Sequence, residues 1–117
     1  MITKEITVAA GASLSNTFES RNYCIVAIQT TGALTTGTTG LVLLACADGT
    51  STPIVAVSNG TAIVWAVVAA TAQYLTTVEK DMVKAPLLQL QCVDSTGAAK
   101  AQTNAATFKV VMAKYLS

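Results

Sequence analysis

A chain of 117 residues with 52% apolar and 11% charged side chains has the length of one domain and is far too apolar to stay disordered. Seven Lys and Arg against six Asp and Glu leave a net charge of +1, which offers no basic footprint for nucleic acid or an anionic membrane. Histidine is absent, so the usual general base, the pH switch and the commonest metal ligand are missing together.

Strand signals dominate from the start. Ile6 and Val8 alternate with Glu5 and Thr7, predicting a first strand near residues 3–9 and a turn at Ala10-Gly11-Ala12-Ser13. Residues 14–21 are polar and cross to the next strand, with Phe18 as an anchor. Asn22 to Thr30 is a second strand, apolar on both faces. The next ten residues, Thr31 to Gly40, hold five threonines and three glycines; they lack periodicity and read as a long loop.

Leu41 to Ala47 is a third strand, ended by the turn signal Asp48-Gly49-Thr50. Pro53 to Val57 is a short fourth strand, its proline placed where a missing N–H is tolerated. Asn59-Gly60, whose residues both accept positive φ, closes a hairpin to a fifth strand at Thr61 to Val67. Thr71 to Thr77 is a sixth strand. Val78 to Lys84 carries four of the thirteen charges and forms a single helical turn. In Leu87 to Val93, Leu88, Leu90 and Cys92 point one way and Gln89 and Gln91 the other. Asp94 to Ala106 is a second long loop. In the final strand, Thr107 to Leu116, Phe108, Val110 and Met112 share a face. Such a series of short strands without a long helix predicts one domain over residues 1–117: an all-β, antiparallel sandwich of about eight strands, jelly-roll-like, with a closed barrel as the alternative.

Three strands break the alternation that a sheet with a wet outer face shows. Ile25 and Ala27 lie opposite Cys24, Val26 and Ile28; Leu41 to Ala47 is apolar throughout; Ile63, Trp65 and Val67 lie opposite Val64, Ala66 and Val68. Either loops overlie these strands or their outer side docks on another protein. The charge content points the same way. Thirteen charges on the roughly 6,000 Å² expected for this mass give about one per 450 Å², half the usual density. A Thr-rich soluble surface explains this less well than a subunit largely covered by partners.

The search for chemistry yields little. Glu79 and Asp81 diverge on a helical turn beside Lys80 and Lys84, the pattern of a solvated face rather than of paired catalytic carboxylates. Asp48, Asp81 and Asp94 form no spaced acidic cluster for a cation; Asp48 and Asp94 precede turn residues, where aspartate bonds its own backbone. Gly32, Gly37 and Gly40 match no phosphate-binding spacing and have no basic residue after them. Cys24, Cys46 and Cys92 are odd in number, lack a CxxC pair and sit in apolar stretches, as reduced core thiols made in a reducing cytosol do. Trp65 reads as core. Tyr23, Tyr74 and Tyr115, near strand ends, leave a carbohydrate-binding role open. The opening Met1-Ile2-Thr3-Lys4-Glu5 reads as no signal peptide. The longest apolar run, Ala62 to Ala70, is about half the length of a membrane span. No catalytic residue, cofactor or metal site is expected, and neither nucleic acid nor membrane is an expected partner.

The order of elements carries a resemblance. Ile6-Thr7-Val8-Ala9-Ala10-Gly11, the tyrosine-led strand Tyr23 to Gln29, the apolar strand closing on Ala47-Asp48-Gly49-Thr50, Leu87-Leu88-Gln89-Leu90 and Gln102-Thr103-Asn104-Ala105-Ala106-Thr107 together resemble small β-sandwich structural proteins of tailed bacteriophages, capsid cement (decoration) proteins among them. In such proteins an aromatic often follows the Asp-Gly turn, where Ser51-Thr52-Pro53 stands here. The resemblance implies a virion subunit on the capsid exterior, made in the host cytoplasm, that binds and stabilises the shell of major capsid protein and self-associates as a dimer or trimer. Loops at the ends of a sandwich are free to reach neighbours, so Leu34, Thr35, Thr36, Thr38 and Thr39 are the expected interface residues. The alternative is a receptor- or carbohydrate-binding sandwich of a tail or other phage appendage.

Overall fold

The computed structural model describes residues 1–20, 23–48, 52–58, 60–77 and 85–114. Among them are eleven strands and no helix: β1 (Ile2–Val8), β2 (Phe18–Glu19), β3 (Tyr23–Thr30), β4 (Gly40–Cys46), β5 (Ile54–Val55), β6 (Val57–Ser58), β7 (Thr61–Ala62), β8 (Val64–Ala66), β9 (Tyr74–Thr76), β10 (Leu87–Val93) and β11 (Ala106–Lys114). The helical turn expected over 78–84 lies outside the described residues, as do Gly49 and Thr50 of the Asp-Gly turn.

All pairings are antiparallel. The first sheet has the order β1-β11-β3-β9. The second runs β2-β10-β4-β5, with β8 also paired to β4. The β6–β7 hairpin stands apart from both, with Val57 opposite Ala62 and Ser58 opposite Thr61. Its turn contains Gly60 at φ +77, a conformation glycine adopts without the Cβ penalty. The fourth and fifth strands of the sequence reading are each split, because each changes partner midway. Ala56 donates its N–H to Leu43 C=O (2.9 Å) and accepts from Ile63 N–H (3.0 Å), which tethers the hairpin to β4.

The two sheets share one core. Ile6, Val8, Ile25, Ile28, Phe108, Val110 and Met112 of the first sheet meet Leu41, Leu43, Trp65, Leu88, Leu90 and Cys92 of the second, with Phe18 at one margin. The sandwich and its alternating strands, β10 and β11 above all, are as the sequence predicts. One strand is not. Along β3, Ala27 faces Val111 and Ile25 faces Met112, so Val26 is an extra residue. A bulge of this kind resets the two-residue phase. Ile25 and Ile28, expected on opposite faces, therefore both enter the core, while Cys24 and Ala27 are buried outside it.

All three cysteines are buried thiols. Burial pushes the Cys92 thiol up to about 11, so it stays protonated and a poor nucleophile at neutral pH. Cys24 Sγ donates to Ala113 C=O at 3.8 Å.

Phe108 has no exposed surface and sits between the sheets. Phe108→Ala is expected to destabilise the domain by about 3–5 kcal/mol, the usual cost of emptying an aromatic site in a close-packed core. Urea unfolding followed by Trp65 fluorescence measures it.

Candidate functional site

The outer faces of the two sheets differ in chemistry. On the first sheet, Glu5, Lys109, Gln29 and Tyr74 stand in register across all four strands. Beside that row Thr7 faces Thr107, their hydroxyl oxygens 3.4 Å apart. These rows are mostly hydrophilic, as a water-facing antiparallel sheet should be, while the next row on this face, Thr3–Val111–Ala27–Thr76, is mixed.

The second sheet presents the opposite. Its outer rows read Gln91–Val42–Val64 and Gln89–Leu44–Val55. Val42, Leu44 and Val93 form a small apolar cluster of their own, separate from the core and itself buried. Val55 and Val64 are exposed beside it, and Ile54 and Val57 at the adjoining edge are 73% and 60% exposed. Two shallow hollows flank Val55. One, of about 350 Å³, is floored by Val42, Val64 and Val93; the other, of about 530 Å³, lies against Ala45, Cys46, Ile54 and Pro86. Gly40 makes the first possible. A Cβ there would come within 2.8 Å of Val64 Cγ1 and 3.3 Å of Val93 Cγ2, so only glycine lets those valines close over the end of β4. The exposed apolar side chains are thus Ile54, Val55, Val57 and Val64, and a group of this kind is the usual mark of a protein contact.

The five residues expected at the interface are not together on the surface. The 31–39 segment is held down rather than free. Leu34 is 8% exposed and belongs to the core cluster, and Thr38 is 2% exposed. Neither side chain is available to a neighbouring molecule. Thr35 is half-buried, and only Thr36 and Thr39 are exposed. The cause is Gln102, 1% exposed. Its Oε1 accepts from Thr35 N–H at 2.9 Å, and its Nε2 donates to Thr38 Oγ1 at 3.0 Å and to Lys100 C=O at 3.2 Å. Its backbone bonds Ala12 C=O and Gly11 N–H at 2.9 and 2.7 Å. One amide thus fastens three loops, and Thr103 N–H adds a bond to Thr35 Oγ1 at 2.8 Å. The sequence signal was thin: a glutamine among small polar residues.

The remaining candidates fall into structural places. Asp94 Oδ1 accepts from Thr96 N–H (2.9 Å), Thr96 Oγ1 (2.6 Å) and Ala98 N–H (3.1 Å), the self-bonded turn expected of it. The Thr96 hydroxyl and amide, then the Ala98 amide and the charge of Lys100, hold its carboxyl below the ordinary 3.8. Asp48 accepts from Cys46 Sγ at 3.0 Å. Among the described residues no group of three or more His, Cys, Asp or Glu could hold a metal. Trp65 is core, its Nε1 donating to Thr77 Oγ1 at 3.1 Å. Tyr23 is half-buried and Tyr74 is 62% exposed. Glu79, Asp81, Lys80, Lys84 and Tyr115 lie outside the described residues.

Two outcomes follow from these contacts. Gln102→Ala leaves Thr35 N–H and Thr38 Oγ1 without their buried partner, so a loss of about 2–4 kcal/mol is expected in urea unfolding. Asp94 titrates lower folded than unfolded, so its contribution is present above its unfolded value and disappears as pH falls through the folded one. The stability difference between wild type and Asp94→Asn should accordingly be largest near neutral pH and vanish in strong acid, read by denaturation at a series of pH values. Comparison of the chain with protein-family models, with curated proteins and with solved structures finds no match.

Proposed function

We propose that the chain is a structural subunit of a bacteriophage virion, a capsid cement or decoration protein that docks on the shell of major capsid protein through the outer face of its second sheet. The observation that carries this reading is the contrast between the two outer faces. A sandwich that lived alone in water would place polar residues at the exposed Val55 and Val64 positions, as it does at Glu5, Lys109 and Gln29. Thirteen charges over 6169 Å² of surface, about one per 470 Å², add little repulsion against neighbours.

The strand order supports the finer fold reading that goes with it. Successive main strands alternate between sheets except at β4 and β8, with β1, β3, β9 and β11 in one and β2, β4, β8 and β10 in the other. We read this alternation as a jelly roll, the double Greek key also used by capsid proteins. Attachment in many copies suits such a subunit, because each docked face raises the effective concentration of the next contact. A dimer or trimer would use the same face or its edge.

The test is co-sedimentation with shells assembled from the major capsid protein. A Val55→Glu, Val64→Glu double variant, altering two side chains already about half exposed, should weaken shell binding by about tenfold or more, about 1.4 kcal/mol, with little change in urea midpoint. Lys109→Glu on the opposite face should bind normally. Wild-type protein that stays monomeric at high concentration and ignores shells overturns the reading.

A further inference from the structure

The sandwich is open along one side, where β8 of the second sheet and β9 of the first are both edge strands. A groove of about 310 Å³ runs between them, lined by Val64, Trp65, Ala66, Tyr74, Leu75 and Thr76 among others. The hydrogen-bond phase fixes what these edges present. Leu43 N–H donates to Ile63 C=O and Val67 N–H to Thr39 C=O, both at 3.0 Å. Between those bonds Leu41 faces Trp65, flanked by the pairs Gly40–Ala66 and Val42–Val64. In an antiparallel ladder bonded and non-bonded pairs alternate, so the N–H and C=O of Val64 and Ala66 turn away from β4.

The same arithmetic holds across the groove. Thr30 N–H donates to Gln73 C=O at 2.8 Å and Thr77 N–H to Val26 C=O at 3.0 Å, with Tyr74, Leu75 and Thr76 opposite Gln29, Ile28 and Ala27. Tyr74 and Thr76 therefore direct their backbone groups away from β3. Among the described residues no strand pairs with either edge. The groove wall carries no charged side chain among its described residues, and Trp65, pinned to Thr77, lies along it.

We propose that this groove receives an extended, uncharged segment of a partner polypeptide, which adds as a strand to β8 through the N–H and C=O groups of Val64 and Ala66. A strand is the occupant this chemistry selects. Alternating donors and acceptors at two-residue spacing are matched by another extended backbone, and the uncharged wall leaves a charged segment without compensation for its desolvation. Side chains of the incoming segment would alternate between the Trp65 side and solvent. The inference stands on backbone geometry and is independent of the proposed shell contact, which uses the sheet face rather than this edge.

The probe is a short capped peptide alternating Val with Thr or Ser, made soluble by a lysine beyond the pairing residues. Added to ¹⁵N-labelled full-length protein, it should give saturable shifts confined to residues 63–66 and 74–77, and slow hydrogen exchange of the Val64 and Ala66 amides by about tenfold or more. Methylating alternate peptide nitrogens, which removes the donors facing β8, should abolish binding. Ala66→Pro should do the same, since it deletes an outward N–H that the β4 ladder does not use. Absence of saturable shifts at millimolar peptide overturns the proposal. So does binding that survives N-methylation, an arm that needs no altered protein, or binding that survives Ala66→Pro in a variant retaining the native spectrum.

Discussion

Strand β4 is apolar and buried on both sides, although a two-layer sandwich packs only one of them against its other sheet. Leu41 and Leu43 face Leu88, Leu90 and Trp65 in the core, while Val42 and Leu44 point outward into a cluster with Val93. Central strands of parallel sheets show this pattern because helices cover both their faces. No helix is present among the described residues, and among them the β5–β8 region lies alongside β4. Val42 and Leu44 are buried there. Val55 and Val64 shield Val42 and Leu44 from one side and are themselves left about half exposed. The apolar face is thus carried sideways onto the flanking valines rather than removed.

The rest of the architecture follows from holding β4 in that position. Its neighbours β10 and β8 in the sheet line the same core, and its register with β8 places Val64 beside Val42. Gly40 is the contact where this arrangement is tightest. At the far end the loops need an anchor, because loop backbone near a core must find partners for its N–H and C=O groups. Gln102 supplies it, using both ends of its side-chain amide and its own backbone. The hydroxyl-rich 31–39 segment is consequently part of the sandwich end. Its threonines serve as internal acceptors as much as surface groups.

Much of this was legible in the sequence where a single physical rule governs. Alternation over Leu87 to Val93 and Thr107 to Leu116 identified the inner sides of β10 and β11, and Asn59-Gly60 marked a hairpin that β6 and β7 form. Phe18 was recognised as an anchor, although β2 around it is too short to announce itself. The misreadings have local causes. A bulge at Val26 cannot be seen in a run that is apolar at every position, and plain alternation puts Ile25 and Ile28 on opposite faces. The Thr31 to Gly40 segment looked like a free loop because its restraint comes from Gln102, more than sixty residues away in sequence and carrying no pattern of its own. The outer apolar face was visible as broken alternation in the third and fifth strands. What composition could not give is its location, since the 31–39 loop and the β4–β8 face compete for the same inference and register decides between them.

The two surfaces that remain are chemically distinct and suit different kinds of contact. The β4–β8 face is broad and lined by branched aliphatic side chains, so association there gains from apolar area and is tolerant of the partner's sequence. The β8–β9 edge is narrow and presents backbone groups, so association there requires an extended segment in register. Val64 lies where they meet: its side chain belongs to the face and its backbone to the edge.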